Sequence, residues 1–325
     1  MQQSRIDVHC HAIPPVYRTA VTDRSFENIA VRVPDWSPNA ALELMDRNYI
    51  AASVVSISVP GTHFGDDAEA RHLSRQCNEY MADCIAKWPR RFGAFADLPL
   101  PDIEGAITEA TYALGTLKLD GVALFTSYSG VHLGHPKFDP LLEVLDAHQA
   151  VTFIHPTAHP SNRELDLNFP AFLVEYTFDT TRCAVNLILS ATLDRFPNIR
   201  FILSHAGGTL PFLSWRVAEV TSSLLTQPRL MKQYPLPFVA DHARDITPAL
   251  FMERVSRFWY DTANAAGPQV MASLQLVSKG ERILFGTDWP YVNLLSARRH
   301  VADRHVFDHA PPQRGHVFGH RNTPV

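Results

Sequence analysis

The chain has 325 residues, 46% of them hydrophobic and 19% charged, the make-up of a globular protein long enough to bury one large core. Its 29 Lys and Arg against 33 Asp and Glu give a net charge of −4 with no basic block, which points away from nucleic acid and from anionic membrane surfaces. No apolar run reaches the roughly 18 residues of a membrane span, no N-terminal stretch has the layout of a signal peptide, and Cys10, Cys77, Cys84 and Cys183 are too scattered for a disulfide framework, so a cytoplasmic protein with reduced thiols is expected.

The first predicted strand is Arg5–His9. At its exit, Ile6-Asp7-Val8-His9-Cys10-His11, two imidazoles stand two residues apart, on one face of an extended chain, while Cys10 points to the other layer as packing. Such a pair at a strand tip is half a metal site, although a lone His-x-His is also compatible with two ordinary histidines. Residues 12–37 are long for a connection and predict an irregular loop over the strand tips. Ser37-Pro38 caps and opens a helix over Asn39–Asn48. Strand Ala52–Val59, with the run Ala52-Ser53-Val54-Val55-Ser56-Ile57, suits burial on both faces. Then follow helix Asp66–Trp88, strand Phe92–Leu98, helix Asp102–Leu117, strand Gly121–Thr126, helix Pro140–Gln149, strand Val151–His155 and helix Phe172–Phe196. Strand Arg200–His205, helix Thr209–Leu225, strand Phe258–Thr262, helix Pro268–Lys279 and strand Arg282–Gly286 complete the series. Gln227–Asp245 is a second irregular stretch, suited to a lid or a subunit contact. Eight strands alternating with helices predict an α/β fold, a (β/α)8 TIM barrel, with 1–325 as one domain. A doubly wound open sheet is the alternative, but no Gly-x-Gly-x-x-Gly turn follows the first strand.

In a parallel barrel the chemistry gathers at the C-terminal ends of the strands. Here strand five ends in His155-Pro156, strand six in Ser204-His205-Ala206-Gly207-Gly208 and strand eight in Gly286-Thr287-Asp288-Trp289-Pro290. Taken singly, a His before Pro reads as a loop residue and an Asp after Gly-Thr as a turn or cap. Four such ends on one rim, with the His9/His11 pair, are hard to read as loop decoration, and His and Asp suit Zn, Mn or Fe.

These motifs, with Asp-x-His-x-His at 7–11, resemble the amidohydrolase-related decarboxylases, the group that includes aminocarboxymuconate-semialdehyde decarboxylase and γ-resorcylate decarboxylase. The resemblance runs from Ile6 to about Tyr291. Trp36-Ser37-Pro38, Pro60-Gly61-Thr62-His63-Phe64-Gly65-Asp66-Asp67, Phe92-Gly93-Ala94-Phe95-Ala96 and Phe178-Asp179-Thr180-Thr181-Arg182 resemble more particularly the 6-methylsalicylate decarboxylases. The resemblance implies a barrel of the metal-dependent hydrolase type in which His9, His11, His155 and Asp288 bind one divalent metal, zinc ahead of manganese. It implies that His205 stands beside the metal-held water or the substrate. It also implies a small aromatic carboxylic acid as substrate and a homodimer or higher homo-oligomer. Two-metal members of the wider superfamily commonly carry a carboxylated Lys at the end of strand four. That end reads Val122-Ala123-Leu124-Phe125-Thr126-Ser127-Tyr128, with Lys118 before the strand, so a single metal is expected. After Tyr291 the pattern departs from the family: instead of closing helices there is a polar tail, Arg298–Val325, whose His300, His305, His309, His316 and His320 match no metal-site spacing.

Loss of carbon dioxide from an aromatic acid leaves charge on a ring carbon. An ortho hydroxyl, chelated with the carboxylate, feeds electron density to that carbon, which an acid then protonates. Asp288 is the expected proton donor and His205 the group that orients substrate or relays the proton, help of the kind worth roughly 10²–10⁴-fold. Attack by a metal-held hydroxide, deprotonated by His205, is the other route open. Arg32, four residues before Trp36, has the spacing of an arginine that contacts the substrate carboxylate in the semialdehyde decarboxylase, and also suits a surface loop. His63 and Phe64 line the pocket or serve structure, and Trp289 is an expected aromatic wall. Asp179 and Arg182 suit a cap and ion pair, or an intersubunit contact; Asp7 and Asp261 suit ligand support or strand-end caps. The expected function is metal-dependent, non-oxidative decarboxylation of a small ortho-hydroxy aromatic acid, of the 6-methylsalicylate to 3-methylphenol type. The alternatives are a single-metal hydrolase of a lactone, amide or ester on the same barrel, and an inactive barrel that binds a partner.

Overall fold

A computed structural model describes residues 5–22, 24, 33–157, 159–165, 167–233 and 246–292. The chain runs β1 (Arg5–His11), α1 (Pro15–Thr22), α2 (Pro38–Arg47), β2 (Ile50–Ser56), α3 (Asp67–Lys87), β3 (Phe92–Ala96), α4 (Ile103–Gly115) and β4 (Gly121–Phe125). A two-residue-per-arm hairpin, β5 (Ser127–Tyr128) and β6 (Val131–His132), precedes α5 (Asp139–Ala147), β7 (Val151–His155), α6 (Glu175–Leu189), α7 (Thr192–Arg195) and β8 (Arg200–Leu203). Then come α8 (Leu210–Thr226), α9 (Pro228–Gln233), α10 (Pro248–Arg257), β9 (Trp259–Asp261), α11 (Pro268–Val277) and β10 (Ile283–Leu284).

Eight strands pair in parallel in the order β1-β2-β3-β4-β7-β8-β9-β10, and parallel bridges from Asp7 to Phe285 and from Cys10 to Trp289 close the ring. The architecture is the (β/α)8 barrel that the alternation of elements predicts. Val8, Val54, Phe95, Val151, Phe153, Ile202, Trp259 and Leu284 fill the barrel interior, and a larger cluster that includes Phe92, Leu141, Leu203 and Phe251 fills the layer between strands and helices. Among the described residues no helix is long and apolar enough to cross a membrane.

All eight expected strands are present; Val151–His155 has the expected ends and the other seven differ by a few residues. Three helical expectations need correction. The segment expected to be an irregular loop over 12–37 contains α1, opened by Pro15 and anchored by buried Tyr17 and Val21, one turn apart. The single helix expected over Phe172–Phe196 is two, α6 and α7, because Ala191 takes a left-handed φ of 53° while the Ser190 and Thr192 hydroxyls bond to each other at 2.7 Å. Such side chains compete with the helical backbone. Helix α10 matches no expected element, although Thr247, which accepts from Leu250 N–H ahead of Pro248, repeats the Ser37-Pro38 signal. Of the stretch expected to be irregular over Gln227–Asp245, residues 228–233 form α9 and 234–245 lie outside the described residues, as does the tail over 298–325.

The barrel wall is tight where β4 meets β7. A Cβ at Gly121 would stand 2.2 Å from the Val151 carbonyl oxygen, so only glycine fits without moving a strand. We expect Gly121→Ala to lower stability by about 1–3 kcal/mol, the usual cost of overpacking. Urea unfolding will check this, and an unchanged midpoint would show that β4 and β7 can separate at no cost.

Candidate active site

The site residues sit where strands pass into loops. On β1 the pairing with β2 shifts register between Asp7 and Cys10. This irregularity breaks strict alternation, so that Val8 packs in the barrel interior while the neighbouring His9 ring stands edge-on to Phe153, centroids 4.9 Å apart. Across the closing seam, the His9 carbonyl accepts from Thr287 N–H at 3.2 Å and Asp288 N–H at 2.8 Å. Buried Asp7 secures the same turn: it accepts from His9 N–H and Thr287 N–H, each at 3.1 Å, and from the Thr287 hydroxyl at 2.6 Å. Gly286 is required here, since a Cβ would come 2.8 Å from that of His9. Asp288 and His205 both hold left-handed backbone, φ 59° and 52°, a strain that surrounding contacts must sustain.

The fold brings His9, His11, His155 and Asp288 together, all buried, with one potential ligand atom from each lying within 4.8 Å of the others. The His9 and His11 Nε2 atoms are 3.2 Å apart, and Asp288 Oδ1 lies 3.0 Å from His11 Nε2 and 3.3 Å from His9 Nε2. The remote ring nitrogens are anchored. His9 Nδ1 is 2.8 Å from Asp261 Oδ2, His155 Nδ1 is 2.9 Å from the Pro156 carbonyl, and His11 Nδ1 is 3.3 Å from Ser56 Oγ. For His9 and His155 these acceptors keep the proton on Nδ1 and turn the Nε2 lone pair inward. Three imidazole nitrogens and a carboxylate oxygen converging in a buried space repel one another unless a cation lies among them. The donor set therefore fits one divalent metal ion.

Without that cation a proton must serve. Burial opposes charge on His9, but the Asp261 and Asp288 carboxylates outweigh it and push its pKa up to about 10. Burial would raise the Asp288 pKa, yet His9 and the bond to His11 hold it well below the carboxylate range. Burial, then the charge of neighbouring imidazoles, keeps His155 neutral. Asp7, also buried, is pushed up to about 7, the Thr287 hydroxyl opposing.

His205 stands beside this cluster, its ring centroid 4.9 Å from His9 and 5.8 Å from His155. Its Nδ1 is 2.9 Å from the Ala263 carbonyl, and in the tautomer with the proton on Nδ1 the Nε2 atom is an acceptor. Trp289 is half-buried; its carbonyl accepts from His11 N–H at 2.8 Å and locks β1 to the seam. His63 is tied locally, with Nε2 2.8 Å from Asp67 and Nδ1 accepting from Gly65 N–H. Phe64 packs on the outer core beneath the Arg24 guanidinium, 4.6 Å away. Arg32 lies outside the described residues. Asp179 sits inside α6 rather than capping it. Fully buried, it is 2.8 Å from His132 Nε2 and also meets the Thr126 hydroxyl, while Arg182 reaches Glu175 at 3.7 Å. Contacts with the site not anticipated from sequence include Asn264, whose amide reaches Asp288; Tyr291, 5.4 Å from the His11 ring; and Tyr176, 6.4 Å from that of His155. Tyr291 follows Asp288 by three residues, and Asn264 follows Asp261 by three, which is the one signal their positions offered.

A model of the amidohydrolase family matches residues 6–316. The chain is 37% identical over 311 residues to "Decarboxylase yanB" of Aspergillus niger, covering 91% of this chain and 80% of that one. It is 32% identical over 292 residues to a 6-methylsalicylic acid decarboxylase of Penicillium expansum, covering 88% and 85%. Among solved structures, a dihydroxybenzoic acid decarboxylase of Polaromonas with bound manganese and an inhibitor superposes with a TM-score of 0.72 at 23% identity, over 92% of this chain and 90% of that one.

The raised His9 pKa has a measurable sign. Below about pH 10 the metal-free protein carries a proton that a metal must displace, so zinc uptake should release a proton and its apparent affinity should fall about tenfold for each pH unit lowered towards neutrality. In the metal-free fold the same proton contributes stability that is complete below pH 6.5 and is lost as pH rises through about 10. Zinc titration in buffers of different ionisation enthalpy measures the release; uptake with no proton released would show His9 already neutral.

Proposed function

We propose that this chain, which belongs to the amidohydrolase family and within it to the decarboxylases, removes carbon dioxide from a small aromatic acid with an ortho hydroxyl, 6-methylsalicylate being the substrate. The observation that carries this reading is the cluster of three imidazoles and one carboxylate at the barrel rim, in a chain whose relatives are decarboxylases. The end of β4 supports one metal rather than two: Phe125 stands there, its ring 6.3 Å from His155, and Lys118 precedes the strand. The relatives favour carbon–carbon cleavage over hydrolysis of a lactone, amide or ester on the same barrel.

His9, His11, His155 and Asp288 would hold the ion, zinc ahead of manganese for a nitrogen-rich set. When bound, it supplies positive charge to the phenolate and carboxylate oxygens of the substrate. His205, with Nε2 free to accept, orients the ortho hydroxyl. Asp288 takes the hydroxyl proton and delivers it to the ring carbon that bears the carboxylate. The carbon–carbon bond then breaks, its electrons restore the aromatic ring, and carbon dioxide departs. Phe125, Tyr176 and Tyr291 wall the site and exclude water, with Trp289 beside them; burial pushes the Tyr176 hydroxyl up to about 12, so it remains a neutral donor. Arg32 is retained as a contact for the substrate carboxylate. The bond of His63 to Asp67 and the packing of Phe64 against the core favour structural roles for both.

We assign the protein to the cytoplasm on its four buried, free cysteines, and assign it a homodimer or higher homo-oligomer. In support of the latter, Phe212 and Trp215 on α8 are 80% and 59% exposed, beside a groove lined by Phe178, Val185, Leu189 and Leu213.

Metal-loaded protein incubated with 6-methylsalicylate should yield carbon dioxide and 3-methylphenol. Turnover of a lactone with no decarboxylation across a panel of hydroxybenzoates would overturn the reading. His155→Ala should lose the metal. His205→Ala should keep it and lose roughly 10²–10⁴-fold in kcat; equal metal loss in both, by elemental analysis, would show that the roles are wrongly divided.

A further inference from the structure

Strand β9 adds no side chain to the four-residue cluster, yet three residues at and beyond its tip, Asp261, Ala263 and Asn264, hold three members of the site. Asp261 Oδ2 lies against His9 Nδ1 at 2.8 Å, and Oδ1 accepts from His205 N–H at 3.1 Å and Ala263 N–H at 2.9 Å. The Ala263 carbonyl meets His205 Nδ1 at 2.9 Å. Asn264, exposed on the rim, donates its side-chain amide to Asp288 Oδ2 at 2.6 Å. Its backbone is left-handed, φ 55°, which asparagine tolerates better than most residues.

The two oxygens of Asp288 therefore face different partners: Oδ1 the Nε2 atoms of His11 and His9, Oδ2 the amide of Asn264. We propose that Asn264 is a positioning residue for the decarboxylation. Its amide holds the Asp288 carboxylate so that Oδ1 alone meets the metal and Oδ2 is reserved for the proton. The inference rests on the assignment of Asp288 as ligand and proton carrier made above. Oδ2 takes the proton as the substrate O–H bond breaks and gives it to the ring carbon; the C–C electrons return to the ring as carbon dioxide leaves, and the carboxylate ends ionised as it began. A carboxylate free to turn would engage the metal through both oxygens and leave neither for the proton.

Asn264→Gly removes the amide while keeping a residue at ease with the left-handed backbone. Asn264→Asp keeps the shape and sets a carboxylate against Oδ2. Both are compared with wild type, zinc-loaded, by bound metal, by X-ray absorption counting oxygen neighbours of the zinc, by kcat and KM for 6-methylsalicylate, and by deuterium uptake into the ring of 3-methylphenol in D2O. Asn264→Gly should keep about one zinc, gain an oxygen neighbour, and lose about 10–100-fold in kcat and in ring exchange alike, with KM little changed. Asn264→Asp should lose at least as much. Unaltered coordination with wild-type kcat, or a loss of turnover matched by loss of zinc, would overturn the proposal. A wild-type protein that performs neither decarboxylation nor ring exchange removes the assignment of Asp288 itself, and the role of Asn264 with it.

Discussion

The site depends on the seam where the first strand meets the chain leaving the last. At that seam the His9 carbonyl accepts two amides from Thr287 and Asp288, and Asp7 grips Thr287 through both backbone and hydroxyl. Two potential ligands, His9 and His11, come from one side of the seam and a third, Asp288, from the other. Any slip in closure would separate the carboxylate from the imidazoles, because one residue of register moves side chains to the opposite face. Gly286 shows how little room the arrangement leaves: a single methyl there would strike His9.

Charge imposes a second constraint. Asp7, Asp261 and Asp288 are all buried within one end of the barrel. Buried carboxylates are tolerated only when paired or fully hydrogen-bonded. Asp7 is met by a hydroxyl and two amides, and Asp261 by His9 and two amides. Asp288 is the exception, because its Oδ1 faces the cluster of imidazoles and needs positive charge from there. The proton on His9 supplies it in the metal-free protein, and a divalent ion would supply it more strongly. Preference for a cation is thus a property of the buried charge as well as of the ligand geometry.

The parts of the site legible in the sequence are those whose residue type is itself the chemistry. His155 before Pro156, His205 before Ala206-Gly207-Gly208 and Asp288 after Gly286-Thr287 each read singly as loop, turn or cap, and they stand out because the alternation of elements places them together on one rim with the His9/His11 pair. The supports were harder to see. Asn264 matters through a bond to a residue on another strand, which no local pattern reveals. His63 illustrates the converse. By residue type it suits a pocket, but Asp67 lies four positions on and engages it locally. The register shift in β1 was hidden for the same reason: strict alternation was a sound expectation for the His9/His11 pair, and the irregularity that seats His9 against Phe153 arises only from pairing with β2. Helix α1 and the α6–α7 break turn on one or two residues each, Pro15 and Ala191, too few to disturb a pattern averaged over a window.

The contact between His11 and Asp288 joins residues 277 positions apart. During synthesis His9 and His11 leave the ribosome near the start of the chain, and Asp288 only after every other strand has been made. No nascent fragment owns all four potential ligands, so an ion held by all four would report that the ring has closed. Such a contact of very high sequence separation is slow to form, because the whole intervening chain must be ordered first. Capture by the full set of four would then follow closure of the ring, and a copy cut short before Asp288 would lack the carboxylate.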